Sequence, residues 1–184
     1  MSTITISSSL PLGSAAPSFD LPGVDGRQHT LADYADKAVL VVVFTCNHCP
    51  YAQGWEGRLI ALQNTYAERG VAFVLINAND PVKYPADNFE AMKERASAQG
   101  YPFAYLQDTT QSVARAYGAT RTPEVFVFNA DRKLVYHGAP DDNVEPDQVT
   151  KHYLRDAIEA ALAGQAAPVA DTPPVGCTIK WQAA

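Results

Sequence analysis

Two of the three cysteines in this 184-residue chain share one short stretch, Phe44-Thr45-Cys46-Asn47-His48-Cys49-Pro50. Thiolates, not thiols, attack sulfur and bind soft metals. Two thiols flanking an imidazole can therefore exchange disulfides, reduce an oxidant or grip a metal ion. A helix beginning here would favour the thiolate, because orphan N–H groups and the positive end of the helix dipole face it. That setting brings a thiol pKa from about 8.5 to between about 3.5 and 7.5. Pro50 marks the start of such a helix, since proline suits the first helical position and disfavours helical geometry in the residue before it. Cys49 is then the N-cap and Cys46 lies in the loop above the preceding strand. A helix that already starts near Cys46 is the alternative. His48 can steady a thiolate as imidazolium or shuttle a proton, its ordinary pKa being near 6.5, or it can be a loop histidine pointing at solvent.

The surrounding pattern must hold this heptapeptide at the end of a strand. Ala38 to Thr45 is β-branched and apolar on both faces, as in a strand covered by helices on each side. Pro50 to Arg69 carries Leu59, Leu62 and Tyr66 at helical spacing and stops at Gly70. Val71 to Ala78 predicts a second buried strand, Ala86 to Gln99 a helix, Pro102 to Leu106 a strand and Gln111 to Tyr117 a short helix. Glu124 to Phe128 and Lys133 to His137 predict an antiparallel hairpin, and Thr150 to Ala163 a final amphipathic helix. An earlier hairpin is expected from Ser18 to Leu21 and Arg27 to Thr30. The order βαβ, helix, hairpin, helix specifies an α/β three-layer sandwich with a mixed central sheet and an N-terminal β-hairpin extension. We expect a leader at 1–16, one domain at 17–163 and an extended tail at 164–184. In that tail Pro168, Pro173 and Pro174 forbid helix before the apolar patch Val175 to Trp181 packs back on the body.

Composition removes several classes. Fourteen Lys+Arg against 20 Asp+Glu, a net charge of −6, offer no basic stripe to neutralise a phosphate backbone, so no nucleic-acid partner is expected. The longest wholly apolar run, Ala38 to Phe44, falls short of the roughly 18 residues of a membrane helix, so no membrane partner is expected either. The start of the chain lacks the basic and apolar regions of a secretory signal. The expectation is therefore cytoplasmic, where closely spaced cysteines serve catalysis or metal binding rather than stapling.

The strand-cysteine-helix of residues 38–69, the Thr122-Pro123 dipeptide opening the late hairpin and the element order together resemble the thioredoxin superfamily, in its redoxin and peroxiredoxin-like (AhpC/TSA-type) branch. The resemblance spans about Ser18 to Leu162. It implies a thioredoxin-like fold, with Phe44 standing five residues before the nucleophile Cys49, and a cis Pro123 facing the active cysteine. Arg121 stands near where peroxiredoxins place an arginine, and with Thr122 it is expected to line the substrate site. The departures are specific. Ala52 occupies the place of thioredoxin's second cysteine, the spare thiol Cys46 lies three residues before Cys49, and Val43 replaces the buried aspartate, leaving no carboxylate under the sulfurs. Aligning Cys46 as the first cysteine instead makes Cys46-Asn47-His48-Cys49 similar to the Cys-Pro-His-Cys of strongly oxidising disulfide oxidases. The Pro and Thr of the peroxidase motif are absent in either register, their places holding Val42 and Cys46, or Val39 and Val43.

The leading expectation is a thiol-disulfide oxidoreductase in which Cys49 attacks a protein or small-molecule disulfide and Cys46 releases it. A thiol donor such as a thioredoxin would regenerate the enzyme, with no cofactor and no metal. Fully extended, residues 46 and 49 would stand about 10 Å apart, beyond the roughly 7 Å a disulfide spans, so the loop must turn back, and Asn47 suits that turn. The alternatives are a thiol peroxidase reducing hydroperoxide through a sulfenic acid at Cys49, and a copper-binding protein using Cys46, His48, Cys49 and a distant His137. Cys177 is either a small packed hydrophobe of the tail or a resolving thiol. Asp141 and Asp142 after the hairpin read as turn acids.

Overall fold

The computed structural model describes residues 10–183; the remainder of the expected leader lies outside the described residues. Strand β3 (Val39–Phe44) is buried along its whole length and pairs in parallel with β4 (Val71–Asn77), which pairs in parallel with β5 (Ala104–Gln107). On its other side β3 pairs antiparallel with β7 (Glu124–Phe128), and β7 antiparallel with β8 (Leu134–Gly138). The mixed sheet therefore runs β5-β4-β3-β7-β8, with the strand that delivers the cysteines at its centre. Alternation along the strands feeds two cores. Leu40, Val42 and Phe44 face α3 (Ser112–Tyr117), while Val39, Val41 and Val43 face α1 (Pro50–Tyr66), α2 (Phe89–Gln99) and α4 (Tyr153–Leu162).

Helix α1 begins at Pro50 with Cys49 in extended geometry (φ −77°, ψ 126°) as its N-cap, as the proline specified. It tightens into a 3-10 turn over Ala67–Arg69 and ends at Gly70, whose φ of +77° is a left-handed conformation that costs other residues a Cβ clash. The hairpin β1 (Asp20–Pro22) and β2 (Gln28–Thr30) forms as expected. Helix α2 starts three residues later than its periodicity suggested, because Asn88 accepts a hydrogen bond from Ala91 N and caps it there. The segment before it, Pro85–Asp87, forms a separate 3-10 turn. Helix α4 likewise begins at Tyr153, since Thr150 and Lys151 are bound back to Asp142 by their backbone N–H groups.

Two elements lay outside the sequence pattern. Arg121–Thr122 is a short strand, β6, and the tail supplies its partner, β9 (Cys177–Thr178), antiparallel with Thr122 opposite Cys177. Among the described residues no helix is long and apolar enough to cross a membrane.

Candidate active site

The buried end of β3 and the first turn of α1 bring Cys46 and Cys49 into one cluster with Ala52, against which Cys177 packs. Cys49 is fully buried and Cys46 nearly so. The Thr122–Pro123 bond is cis, and it lies beside the sulfurs. Thr122 Oγ1 is 3.5 Å from Cys46 Sγ. The Thr122 carbonyl oxygen is 3.4 Å from Cys49 Sγ, an acceptor for that sulfur only while it carries a proton.

The helix start contributes to the Cys49 thiolate, since the Ala52 N–H at the third helical position lowers its pKa, but it is not the largest influence. The Cys46 thiol donates to the thiolate and is the largest influence, outweighing burial, and Cys177 donates as well. The pKa of Cys49 is lowered to about 4. The cost falls on the donors: Cys46 is pushed well above the ordinary thiol range by donating to Cys49 and by burial. Cys177 is pushed up to about 11 by burial and by its bond to Cys49. The cluster thus holds one thiolate and two thiols at neutral pH.

The connecting loop turns back without any left-handed residue at Asn47; among the described residues the non-glycine positive-φ positions are Gln111 and Arg132. Asn47 is pinned by other elements instead. Its N–H donates to Asp87 Oδ1 (2.6 Å), its amide to Ala86 O (2.9 Å), and its Oδ1 accepts from Tyr105 Oη (2.7 Å). Long-range bonds replace the local turn chemistry that the residue type suggested.

Asp87 is the residue that the sequence pattern concealed. Fully buried, it also accepts from Asn77 Nδ2 (3.0 Å) and Asn79 Nδ2 (3.1 Å) and bonds His48 Nδ1. The expectation of no carboxylate beneath the sulfurs is therefore corrected. The strand residue is Val43, but the β4–α2 connection swings Asp87 into the space. Its signal was present as the polar cluster Asn77-Ala78-Asn79-Asp80 closing a buried strand, since the carboxyl ends of α/β strands are where sites collect. His48, about one-third exposed, stacks on Tyr84 with ring planes 3° apart while Asp87 fixes its Nδ1. It is held in place, not left pointing freely at solvent.

A ligating atom from each of Cys46, His48 and Asp87 lies within 4.8 Å of the others, which could hold a metal ion. The donor chemistry is unfavourable: Asp87 is already filled by four N–H donors, and Cys46 is held protonated where a metal needs a thiolate. His137 does not join them. Its Nδ1 bonds Asp171 (2.9 Å) and its Nε2 bonds Glu124 (2.7 Å), so neither ring nitrogen is open to a metal, and its role as a distant copper ligand is withdrawn. Asp141 binds Trp55 Nε1 (2.8 Å) and Arg58 Nη1 (2.6 Å), tying α1 to the loop after β8, while Asp142 organises the Thr150 turn. Arg121 is exposed and its Nη1 donates to Gly176 O (3.3 Å), so it grips the tail.

A five-stranded mixed sheet, a cysteine at the start of the helix after its central strand and a cis proline facing that cysteine define a protein of the thioredoxin fold. Within that class, the AhpC/TSA family profile matches residues 12–137, more than half of the chain, and the chain belongs to the AhpC/TSA family. It is 28% identical over 132 residues, 71% of this chain and 70% of the relative, to thiol-disulfide oxidoreductase ResA of Geobacillus thermodenitrificans. A crystal structure of a hypothetical protein from Sinorhizobium meliloti superposes with a TM-score of 0.91 at 38% identity, covering 96% of this chain and 98% of that one. An uncharacterized conserved protein from Geobacillus kaustophilus superposes with a TM-score of 0.89 at 44% identity, covering 95% and 94%.

Proposed function

We propose that this chain is a thiol-disulfide oxidoreductase in which Cys49 is the nucleophile and Cys46 the resolving thiol. The observation that carries this is the placement of a Cys49 thiolate against the Cys46 thiol beside Thr122–Pro123. The names of the ResA relatives support it. Cys49 attacks one sulfur of a disulfide and expels the other half as a thiolate, leaving a mixed disulfide on Cys49. At that moment Cys46 loses the partner that kept its pKa high, because the Cys49 sulfur no longer carries charge. Cys46 can then release its proton and attack Cys49 Sγ, expelling the second thiolate and closing a Cys46–Cys49 disulfide. Activation of the second thiol is thus a consequence of the first step. A dithiol donor such as a thioredoxin returns two electrons, in a cytoplasmic setting. His48, held by Asp87, positions the loop and stands close enough to Cys46 to relay its proton. Thr122 and Pro123 lie beside the two sulfurs, and Arg121 holds the tail strand that brings Cys177 to them.

Reduction of hydroperoxide is the second reading, and the match to the AhpC/TSA family is the observation on its side. The positions of the peroxidase Pro and Thr, occupied by Val42 and Cys46 in the Cys49 register, weigh against it. Turnover of a model disulfide and of hydrogen peroxide, measured side by side with Cys46→Ser and Cys49→Ser variants, tests both. The oxidoreductase reading expects disulfide turnover that Cys49→Ser abolishes and that in Cys46→Ser stalls with Cys49 held in a disulfide to another sulfur. Peroxide consumption surviving in Cys46→Ser, with no disulfide turnover in the wild type, would overturn it.

A further inference from the structure

An oxidoreductase has to meet its partner, yet Cys49 is fully buried and Cys46 nearly so, and what covers them is the chain's own tail. Strand β9 lies antiparallel on β6, directly before Pro123, and places Cys177 Sγ 2.6 Å from Cys49 Sγ. The seating is close. A Cβ on Gly176 would fall 1.9 Å from the Thr122 carbonyl oxygen, so only glycine lets the strand approach. It is also anchored on both sides. Upstream, His137 N donates to Ala170 O and Thr172 N to His137 O. Downstream, Ile179 is buried and donates its N–H to Thr120 O, Lys180 N donates to Asn79 Oδ1, and Gln182 N donates to Gln111 Oε1. Peeling this strand away to expose Cys49 would break all of these bonds and expose Ile179. Cys177, by contrast, is half-buried while the strand is seated, the least buried of the three cysteines.

Resting on the oxidoreductase reading above, we propose that Cys177 is a third redox residue and the port through which this protein exchanges with outside disulfides, handing them to Cys49 rather than merely covering it. Cys177 transfers its proton to the Cys49 thiolate in contact with it and attacks a disulfide RS–SR. The S–S bond breaks, one RS⁻ leaves, and Cys177 carries SR. Cys49, its proton passed to the departing thiolate, attacks Cys177 Sγ and expels the second RS⁻, giving a Cys49–Cys177 disulfide. Cys46 gives up its proton and attacks Cys49 Sγ, which expels Cys177, and Cys177 recovers a proton. The sum is RS–SR plus the Cys46 thiol and Cys49 thiolate giving the Cys46–Cys49 disulfide, one RSH and one RS⁻, a two-electron exchange that leaves Cys177 ready again. In reverse, an external thiolate attacks the accessible Cys177 sulfur of the Cys49–Cys177 disulfide. Cys49 is then the leaving group, and its low pKa favours departure.

The test uses the full chain and an aromatic disulfide such as bis(nitrobenzoic acid) disulfide, with thiolate release followed by stopped flow and disulfides mapped by mass spectrometry after acid quench. Cys177→Ser keeps a side chain of similar shape over Cys49. Its exchange is expected to slow at least tenfold, while the Cys46–Cys49 disulfide still forms in the end. Cys46→Ser is expected to stop at a Cys49–Cys177 disulfide. Exchange in Cys177→Ser at the wild-type rate or faster would overturn the port and show the tail to be a simple cover, with the oxidoreductase reading intact. A Cys49 mixed disulfide accumulating beside a free Cys177 in Cys46→Ser would overturn it in the same way. No internal disulfide in the wild type would instead defeat the underlying reading.

Discussion

Replacing Cys46 by alanine isolates the interaction that dominates the site. The Cys46 thiol is the strongest influence lowering the Cys49 pKa to about 4, and alanine deletes that donor while leaving the helix start and Cys177 in place. A hydrogen bond to a charged group contributes about 1.5–3 kcal/mol, and one pKa unit corresponds to about 1.36 kcal/mol, so the loss should raise Cys49 by about 1–2 units. Its titration should then centre between about pH 5 and pH 6 instead of about 4. The rate at neutral pH is a poor readout, since more than about 90% of Cys49 is thiolate there in either protein. Alkylation is also compromised, because the sulfur is buried. Thiolate ultraviolet absorbance, titrated from acid to neutral pH, reads the charge without needing access. Cys46→Ser is the control: its hydroxyl still donates, and its inflection should move less. An unmoved inflection in Cys46→Ala would refute the assignment and shift the credit to Cys177 or the helix start.

Asp87→Ala should destabilise the fold by about 3 kcal/mol or more, because four buried N–H donors lose their acceptor, and the melting temperature should drop by roughly 6–12 °C. An unchanged melting temperature would mean that water satisfies those donors. Gly176→Ala should push β9 off Thr122 and speed alkylation of Cys49 roughly tenfold, the factor given by about 1.4 kcal/mol of local opening. A rate equal to wild type would show that the tail absorbs the clash. Burial disfavours the charged form of His137, but the bonds to Glu124 and Asp171 outweigh it and raise its pKa. The associated stability is therefore complete below the unfolded value near 6.5 and is lost as pH rises through the raised folded value. Denaturant midpoints should fall in the wild type as pH rises above about 6.5 and through the raised folded value, and His137→Gln should flatten that slope.

Local chemistry was legible along the chain. Pro50 placed the helix start one residue after Cys49, Gly70 ended α1, the β-branched run of residues 39–44 made the central strand, and the late hairpin and closing helix formed in the expected order, the helix three residues shorter at its start. Each of these depends on contacts within a few residues or on one repeating face, and such information survives in linear order. The placing of Cys49 and Cys46 together at the strand-to-helix corner was readable for the same reason, whereas the cis Pro123 beside them was expected only from the resemblance to the thioredoxin superfamily. The carboxylate beneath His48 was not readable, and Cys177 beside Cys49 was readable only as one of two alternatives. Asp87 stands 39 positions from His48, and Cys177 stands 128 positions from Cys49. No periodicity connects them, and the residues that bring them together, Asn77, Asn79 and Gly176, look like turn and tail residues in isolation. Sequence alone determined that two thiols would stand at the end of β3, one of them at the N-cap of α1. Which groups set its charge and what lies against it were decided only by tertiary packing, because a sulfur's pKa depends on whatever donors and burial the folded chain places within a few ångströms.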